Sequence, residues 1–298
     1  MIHHRGRHPA ERKWMKAIPF YKMSGAGNDF ILIDNRSNIM PDMPLNEFAF
    51  WVCRRKISVG ADGLILVETS QCADFKWRFF NSDGSTAEMC GNGARCVARF
   101  AYLNGIAGKE MTFETMGGKV SATVTADRVR VKMPDPSNLV LYDTVEVLED
   151  ALPISRVNTG VPHVVVMISR LAEMDVVGLG RQIRFHPAFG APGTNVNFVE
   201  PEADGLVAIR TYERGVEDET LACGTGAVAA AIVVSLKLGK QSPVHVLTRS
   251  GVCLNVHFRE AGGMFSDVYL EGDARVIYTG ELGEDAWRPA TENGDQES

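Results

Sequence analysis

The chain has 298 residues, 45% of them hydrophobic and 23% charged, the balance of a globular protein with a core to bury. Its net charge of -6, with no basic block in the body of the chain, argues against a nucleic-acid partner. No apolar run approaches the roughly 18 residues that a membrane span needs, so no membrane partner is expected either.

The opening stretch, "MIHHRGRHPAERKWMKAIPF", is basic but lacks the apolar centre of a secretory signal, and residues 1–16 read as an unstructured leader. "SGAGNDFILID" follows its glycines with a strand-like run, so it fails the dinucleotide fingerprint, which needs a helix there. "LNEFAFWVCRR" reads as a minor helix and "WRFFNSDGS" as a strand running into a turn. Cys90-Gly-Asn-Gly then feeds a helix, read over Ala94 to Phe100 and closed at Gly105. "GNGARC" lacks the Lys-Ser/Thr ending of a phosphate loop. The alternating runs "VSATV" and "VRVKM" are strands, and the two prolines between Met133 and Asn138 mark a boundary.

Beyond that boundary "PHVVVMI" is a strand with His163 at its start, a position where a lone histidine is structural until a partner is found. "VVGLGRQIR" is a second minor helix. "AIRTYERGVEDE" brings a strand up to Cys223-Gly-Thr-Gly, which opens an alanine-rich helix ending at Gly239. "VHVLT" and "CLNVHF" are further strands, and "ARVIYTGEL" crosses back to complete the first half. The end, "GEDAWRPATENGDQES", is acidic and polar and reads as frayed. The divisions are thus a leader at 1–16, a first half at 17–134 completed by about 274–288, a second half at 135–273, and a tail at 289–298.

Six cysteines occur with no Cys-x-x-Cys pair, and the His-x-x-x-His spacing of His4 and His8 lies in the leader without a cysteine beside it, so no structural metal site is expected. A chain without an export signal keeps them as thiols in a reducing compartment, which points to the cytoplasm. Cys53 and Cys253 sit among apolar neighbours and read as core residues, while Cys72 borders a turn.

The chain repeats itself once. "MCGNGARCVARFAYLNG" aligns with "ACGTGAVAAAIVVSLKLG", and beyond them Thr115 and Gly118 match Thr248 and Gly251 at equal spacing. Further back, "GAGNDFILID" echoes "GTNVNFVE". The fold class expected is α+β: two pseudo-symmetric halves, each a mostly antiparallel sheet or barrel wrapped around a central helix.

A helix opening at Cys-Gly-x-Gly presents unpaired N–H groups and the positive end of its dipole. A thiolate at either start should be stabilised, lowering its pKa towards neutrality. A carboxylate can dock on the same amides, the glycines allowing close approach. Pseudo-twofold symmetry aims both starts at one point, with one sulfur on each face of an α-carbon. One thiolate can remove the α-proton while the opposite thiol delivers another, and the amides stabilise the developing enediolate. No cofactor is needed. A pyridoxal enzyme requires a Schiff-base lysine and a phosphate cup, and neither has a convincing candidate.

At these residues the sequence resembles the diaminopimelate epimerases. "MSGAGNDF", "NSDGSTAEMCGNGARC", "TGVPHVVV", "GTNVNF" and "YERGVEDETLACGTGA" occur in that family's order, from Phe20 to about Gly280. The resemblance implies a cofactor-independent epimerase interconverting LL- and meso-2,6-diaminopimelate, in lysine and peptidoglycan-precursor synthesis, commonly as a homodimer. It implies Cys90 as the acid and Cys223 as the base from LL to meso. Gly91, Asn92, Gly224 and Thr225 become the helix-start contacts to the reacting carboxylate. Asn28, Asn81, Asn195, Glu213 and Arg214 become substrate contacts, and His163 and Glu213 tune the thiols. Three departures stand out: Val161 where some members have asparagine, Gly63 where some have glutamine, and one residue more in Val216–Glu219. The alternatives are a proline or hydroxyproline racemase sharing the two-thiol logic, and an amino-acid-binding or thiol-redox module without catalysis.

Overall fold

The structure, a computed structural model, describes residues 17–86, 89–147, 150–203 and 205–288. The leader at 1–16 and the tail at 289–298 lie outside the described residues. The first half runs β1 (Ile18–Gly25), β2 (Asn28–Asp34), α1 (Leu45–Val52), β3 (Gly63–Glu68), β4 (Phe75–Asn81), α2 (Gly91–Leu103), β5 (Glu110–Thr115), β6 (Gly118–Thr125) and β7 (Arg128–Lys132). The second half begins with β8 (Ser137–Val147), β9 (Asp150–Asn158), β10 (Pro162–Met167), α3 (Val176–Arg184), β11 (Asn195–Pro201) and β12 (Val207–Glu213). It continues with β13 (Asp218–Thr220), α4 (Gly224–Leu238), β14 (Val244–Leu247), β15 (Cys253–Ala261) and β16 (Met264–Asp273), before a last strand, β17 (Arg275–Leu282).

The repeat extends to the backbone pairing. Antiparallel β1–β2 and parallel β2–β3 match antiparallel β9–β10 and parallel β10–β11. Antiparallel β3–β4 and parallel β4–β5 match β11–β12 and β12–β14. The antiparallel runs β5–β6–β7 and β14–β15–β16 close each series. Each parallel step needs a crossover, and α2 and α4 supply it for the steps that carry the cysteines. The strand following each series crosses over: β8 pairs with β9, and β17 returns to pair with β1. The halves are joined where β7 pairs with β16, placing Leu270 opposite Val131.

Hydrophobic pattern explains the layering. α4 is apolar on every side and buried from Gly226 to Ser235, so strands must surround it. In β3 the inward Ile65 and Val67 join the α2 core, while Leu64 and Leu66 face the other way onto α1. β10 repeats this, with Val165 towards α4 and Val164 and Val166 towards the layer holding α3. Strands buried on both faces read as continuous apolar runs, as these do. Around α2, Phe75 and Phe113 stack with centroids 5.0 Å apart.

Three local readings need correction. The chain is not frayed from Gly283: Trp287 is buried, 5.4 Å from the Phe48 ring, and the Ser58 hydroxyl donates to the Ala286 carbonyl at 2.8 Å. One indole anchors a stretch whose neighbours are polar. Cys253 is half-buried at the start of β15 rather than a core residue. The first minor helix ends at Val52, before the two arginines. Among the described residues no helix is long and apolar enough to cross a membrane.

Candidate active site

Cys90 and Cys223 hold the same backbone position in the two halves. Each is the N-cap of its helix in extended conformation, at φ −142°, ψ 116° and φ −120°, ψ 113°. An N-cap leaves the first-turn N–H groups without partners in the helix. The Cys90 sulfur accepts the Gly93 N–H at 3.4 Å, and the Cys223 sulfur lies 3.5 Å from the Thr225 hydroxyl. The glycine after each cysteine faces one and the same side chain. A Cβ on Gly91 would lie 3.8 Å from Leu270 Cδ2, and a Cβ on Gly224 would lie 2.8 Å from that methyl. Leu270, on the seam joining the halves, is the floor on which both helix starts converge.

The two helix starts border a cleft of about 250 Å³ lined by both cysteines. Gly91, Asn92, Gly224 and Thr225 border it, as do Asn28, Asn81 and Glu213. The β1–β2 hairpin carries Asn28 to the cleft through a two-residue turn, Ala26 and Gly27, with φ of 51° and 99°. Its tip reaches the other half, since a Cβ on Gly27 would lie 3.2 Å from Leu221 Cβ. On this wall Asn92 Nδ2 donates to Asn28 Oδ1 at 2.6 Å, and Asn28 Nδ2 donates to the Asp62 carboxylate at 3.0 Å. Asn81 Nδ2 donates to the Ser85 hydroxyl at 2.9 Å. On the opposite wall the Glu213 carboxylate accepts the Thr220 hydroxyl at 2.8 Å. The Thr159 hydroxyl donates to the Thr225 carbonyl at 2.9 Å, pinning the second helix start.

His163, Asn195 and Arg214 are not among the residues lining this cleft, but they are neighbours, with His163 opposite Asn195 in the β10–β11 register. Asn195 Oδ1 accepts the Arg214 backbone N–H at 2.9 Å, and its Nδ2 donates to the Pro162 carbonyl at 3.1 Å. Buried His163 finds its partner in Asn197, whose Nδ2 lies 3.0 Å from Nδ1. Asn197 in turn packs on the first turn of α4, where a Cβ on Gly226 would come within 2.3 Å of its Oδ1. His163 also borders a separate cavity of about 530 Å³ with Asn158 and Thr194, which neither cysteine lines. The Arg214 guanidinium makes no hydrogen bond or ion pair among the described residues.

Electrostatics reverses one sequence-based expectation. Neither thiol is pulled towards neutrality. Burial pushes the Cys223 thiol up to about 12, with Glu213 adding to the rise against the opposing Thr225 hydroxyl and Gly226 N–H. Burial also raises Cys90, against the Gly93 and Asn92 N–H groups and Arg95, with Glu213 again unfavourable. Desolvation outweighs what a helix start supplies. The same cause raises Glu213, opposed by its Thr220 hydrogen bond. Burial and the neighbouring Arg214 charge hold His163 down at about 3, so it is neutral at ordinary pH.

Sequence reasoning missed Asp62, Thr220, Asn197 and Leu270. Asp62 stands between glycine-flanked residues in "GADG", and Thr220 lies just before Cys223, so proximity to a motif was the available signal for both. Nothing in "VYLEGD" distinguishes Leu270 from any strand leucine. At Gly63 a Cβ would lie 2.5 Å from Phe79 Cε2 and 2.7 Å from the Phe80 carbonyl oxygen, so this chain has no room for a side chain there.

Comparison with known proteins fits this arrangement. A family model described as diaminopimelate epimerase matches residues 20–139 and 155–277. The chain is 46% identical over 279 residues to a diaminopimelate epimerase of Aquifex aeolicus (strain VF5), covering 90% of this chain and 99% of the relative. It is 45% identical over 265 residues to one of Chlorobaculum tepidum, covering 87% and 99%. Among solved structures, a phenazine biosynthesis protein of the PhzF family from Bacillus anthracis superposes with a TM-score of 0.68 at 15% identity, covering 90% of this chain and 99% of that one. A hydroxyproline epimerase from Agrobacterium vitis, bound to trans-4-OH-L-proline, gives 0.64 at 16% identity, covering 94% and 97%. At such identities these two speak for the fold alone.

Proposed function

Because the chain belongs to the diaminopimelate epimerase family, we propose that it interconverts LL- and meso-2,6-diaminopimelate with Cys90 and Cys223 as the acid–base pair. The observation that carries this reading is the shared cleft: two repeat-related N-cap cysteines line one small space, and the glycines after them pack on one leucine. The α-carboxylate docks on the helix-start amides at Gly91–Asn92 and Gly224–Thr225, where N–H groups and dipoles favour an anion. From LL to meso, the Cys223 thiolate takes the α-proton and the electron pair of the C–H bond passes into the carboxylate as an enediolate. The Cys90 thiol then protonates the carbon from the opposite face and is left as the thiolate.

Raised thiol pKa values set the problem that binding must solve. The substrate's α-ammonium is a cation brought beside the sulfurs, and an opposite charge favours thiolate formation. Closure around the substrate excludes water and strengthens the amides' hold on the enediolate. Glu213 and the neutral His163 are assigned to tuning the pair. Asn28, Asn81, Asn195, Glu213 and Arg214 are assigned to the substrate's polar groups, with the Arg214 guanidinium, unpartnered among the described residues, suited to the distal carboxylate. The reaction as drawn uses no cofactor. A homodimer in the cytoplasm, serving lysine and peptidoglycan-precursor synthesis, completes the proposal, and it rests on the family likeness and on six cysteines that are all free thiols.

The test is conversion of LL- to meso-diaminopimelate, followed by chiral chromatography, for the wild type, Cys90→Ala and Cys223→Ala. Each variant should keep its circular dichroism spectrum and lose turnover. Near-normal turnover by either one would remove the two-thiol mechanism.

A further inference from the structure

The first half buries a charge that this chemistry leaves unused. Arg95 lies on α2 just beyond Cys90, fully buried and without an ion pair among the described residues. Its guanidinium donates from Nη2 to Asn92 Oδ1 at 2.8 Å, from Nε to the Asp273 carbonyl at 3.2 Å, and from Nη1 to the Gly91 carbonyl at 3.4 Å. All three acceptors are uncharged. Gly272 makes room for it, since a Cβ there would lie 2.9 Å from Nε. A buried cation with no carboxylate on it is costly, and a fold that keeps one has another use for the charge.

Two connections lead from Arg95 to the cleft. One is structural: Arg95 holds Asn92, and Asn92 holds Asn28, both cleft-lining residues. The other is electrostatic. Burial opposes the Arg95 charge, while Cys96, Asp273 and Cys90 favour it and Arg128 works against it. The second half has no counterpart, because the repeat places Val228 where the first half has Arg95. The Glu213 carboxylate is instead the largest charged influence on Cys223. At Cys90 it ranks behind the Gly93 and Asn92 N–H groups and Arg95 itself. Two thiols with the same backbone setting therefore stand in unlike fields.

We propose that Arg95 is a positioning residue that breaks the symmetry of the pair in the substrate-free chain, making Cys90 the more readily ionised thiol, and that it locks the first helix start through Asn92. Binding of the LL substrate must then shift the charge to Cys223 before that thiol acts as base. This rests on reading the two thiols as the reacting pair, but its test reads protonation and not turnover, so the two fail separately. Iodoacetamide is reacted with the full, substrate-free chain across the alkaline range, and modification at each cysteine is followed by peptide mass spectrometry. In the wild type the pH midpoint at Cys90 should fall below that at Cys223. Arg95→Met should raise the Cys90 midpoint by about one unit and leave Cys223 within roughly a third of a unit, while Arg95→Lys, which keeps a cation, recovers most of the wild-type value. A wild-type Cys223 midpoint at or below that of Cys90 overturns the proposal, and so does Arg95→Met moving both alike. The wild-type ordering and Arg95→Lys decide the matter even if Arg95→Met does not fold.

Discussion

Gly224 and Leu270 are in contact so close that a Cβ on the glycine would stand 2.8 Å from the leucine Cδ2, whereas Gly91, its repeat partner, leaves 3.8 Å to that methyl. The contact with Leu270 is therefore tighter at the second helix start. Gly91→Ala should keep stability within about 1 kcal/mol of wild type, because alanine suits a helix better than glycine. Gly224→Ala should lose about 1–3 kcal/mol by overpacking. Combined with Leu270→Ala it should cost clearly less than the sum of the two single changes, since the new methyl enters the space vacated. Denaturant titration of the variants checks this, and strict additivity would contradict it.

Gly63→Ala should destabilise the fold by about 1–3 kcal/mol. The added methyl meets the Phe80 carbonyl at 2.7 Å, and backbone cannot turn aside as a side chain can. A melting temperature equal to wild type would show that the β3–β4 pairing yields more readily than its register implies.

The pH dependence of stability should carry the signature of His163. Its folded pKa, about 3, lies below the ordinary 6.5, so between these values the unfolded chain holds a proton that the folded chain lacks. Stability from this group is complete above about pH 6.5 and is lost as the pH falls towards 3, by about 2 kcal/mol at pH 5. His163→Gln should lose stability at pH 7 yet show a shallower decline from pH 7 to pH 5. Parallel declines in the two proteins would place the acid sensitivity elsewhere.

Arg214→Met should lower kcat/KM for diaminopimelate by roughly thirtyfold to 150-fold, about 2–3 kcal/mol of charge-assisted recognition. The guanidinium has no protein hydrogen bond or ion pair to lose among the described residues, so folding stability should change little. An unaffected kcat/KM would remove Arg214 from substrate recognition.

The repeat was legible because it is local. Cys90 and Cys223 each carry their own glycines and helix, and their matching turns at Gly118 and Gly251 recur with φ of 115° and 79°. The thiols' protonation was not legible, because burial comes from strands distant in sequence and overrides the local helix start. Trp287 was hidden by its polar neighbours, since composition averages out a single anchoring ring. Leu270 and Arg95 read as an ordinary strand residue and an ordinary helix residue. What sets them apart is the seam between β7 and β16, and only the folded chain creates it.

Two thiols acting on opposite faces of one carbon, as proposed, leave a distinct isotope pattern. LL-diaminopimelate is incubated with the enzyme in heavy water and sampled early, with both diastereomers analysed for deuterium. The meso product should carry one deuterium at the inverted α-carbon, because its new proton comes from a thiol equilibrated with solvent, while the remaining LL substrate should carry none. Deuterium entering the LL pool as fast as meso forms, or meso product without deuterium, would contradict a two-thiol mechanism.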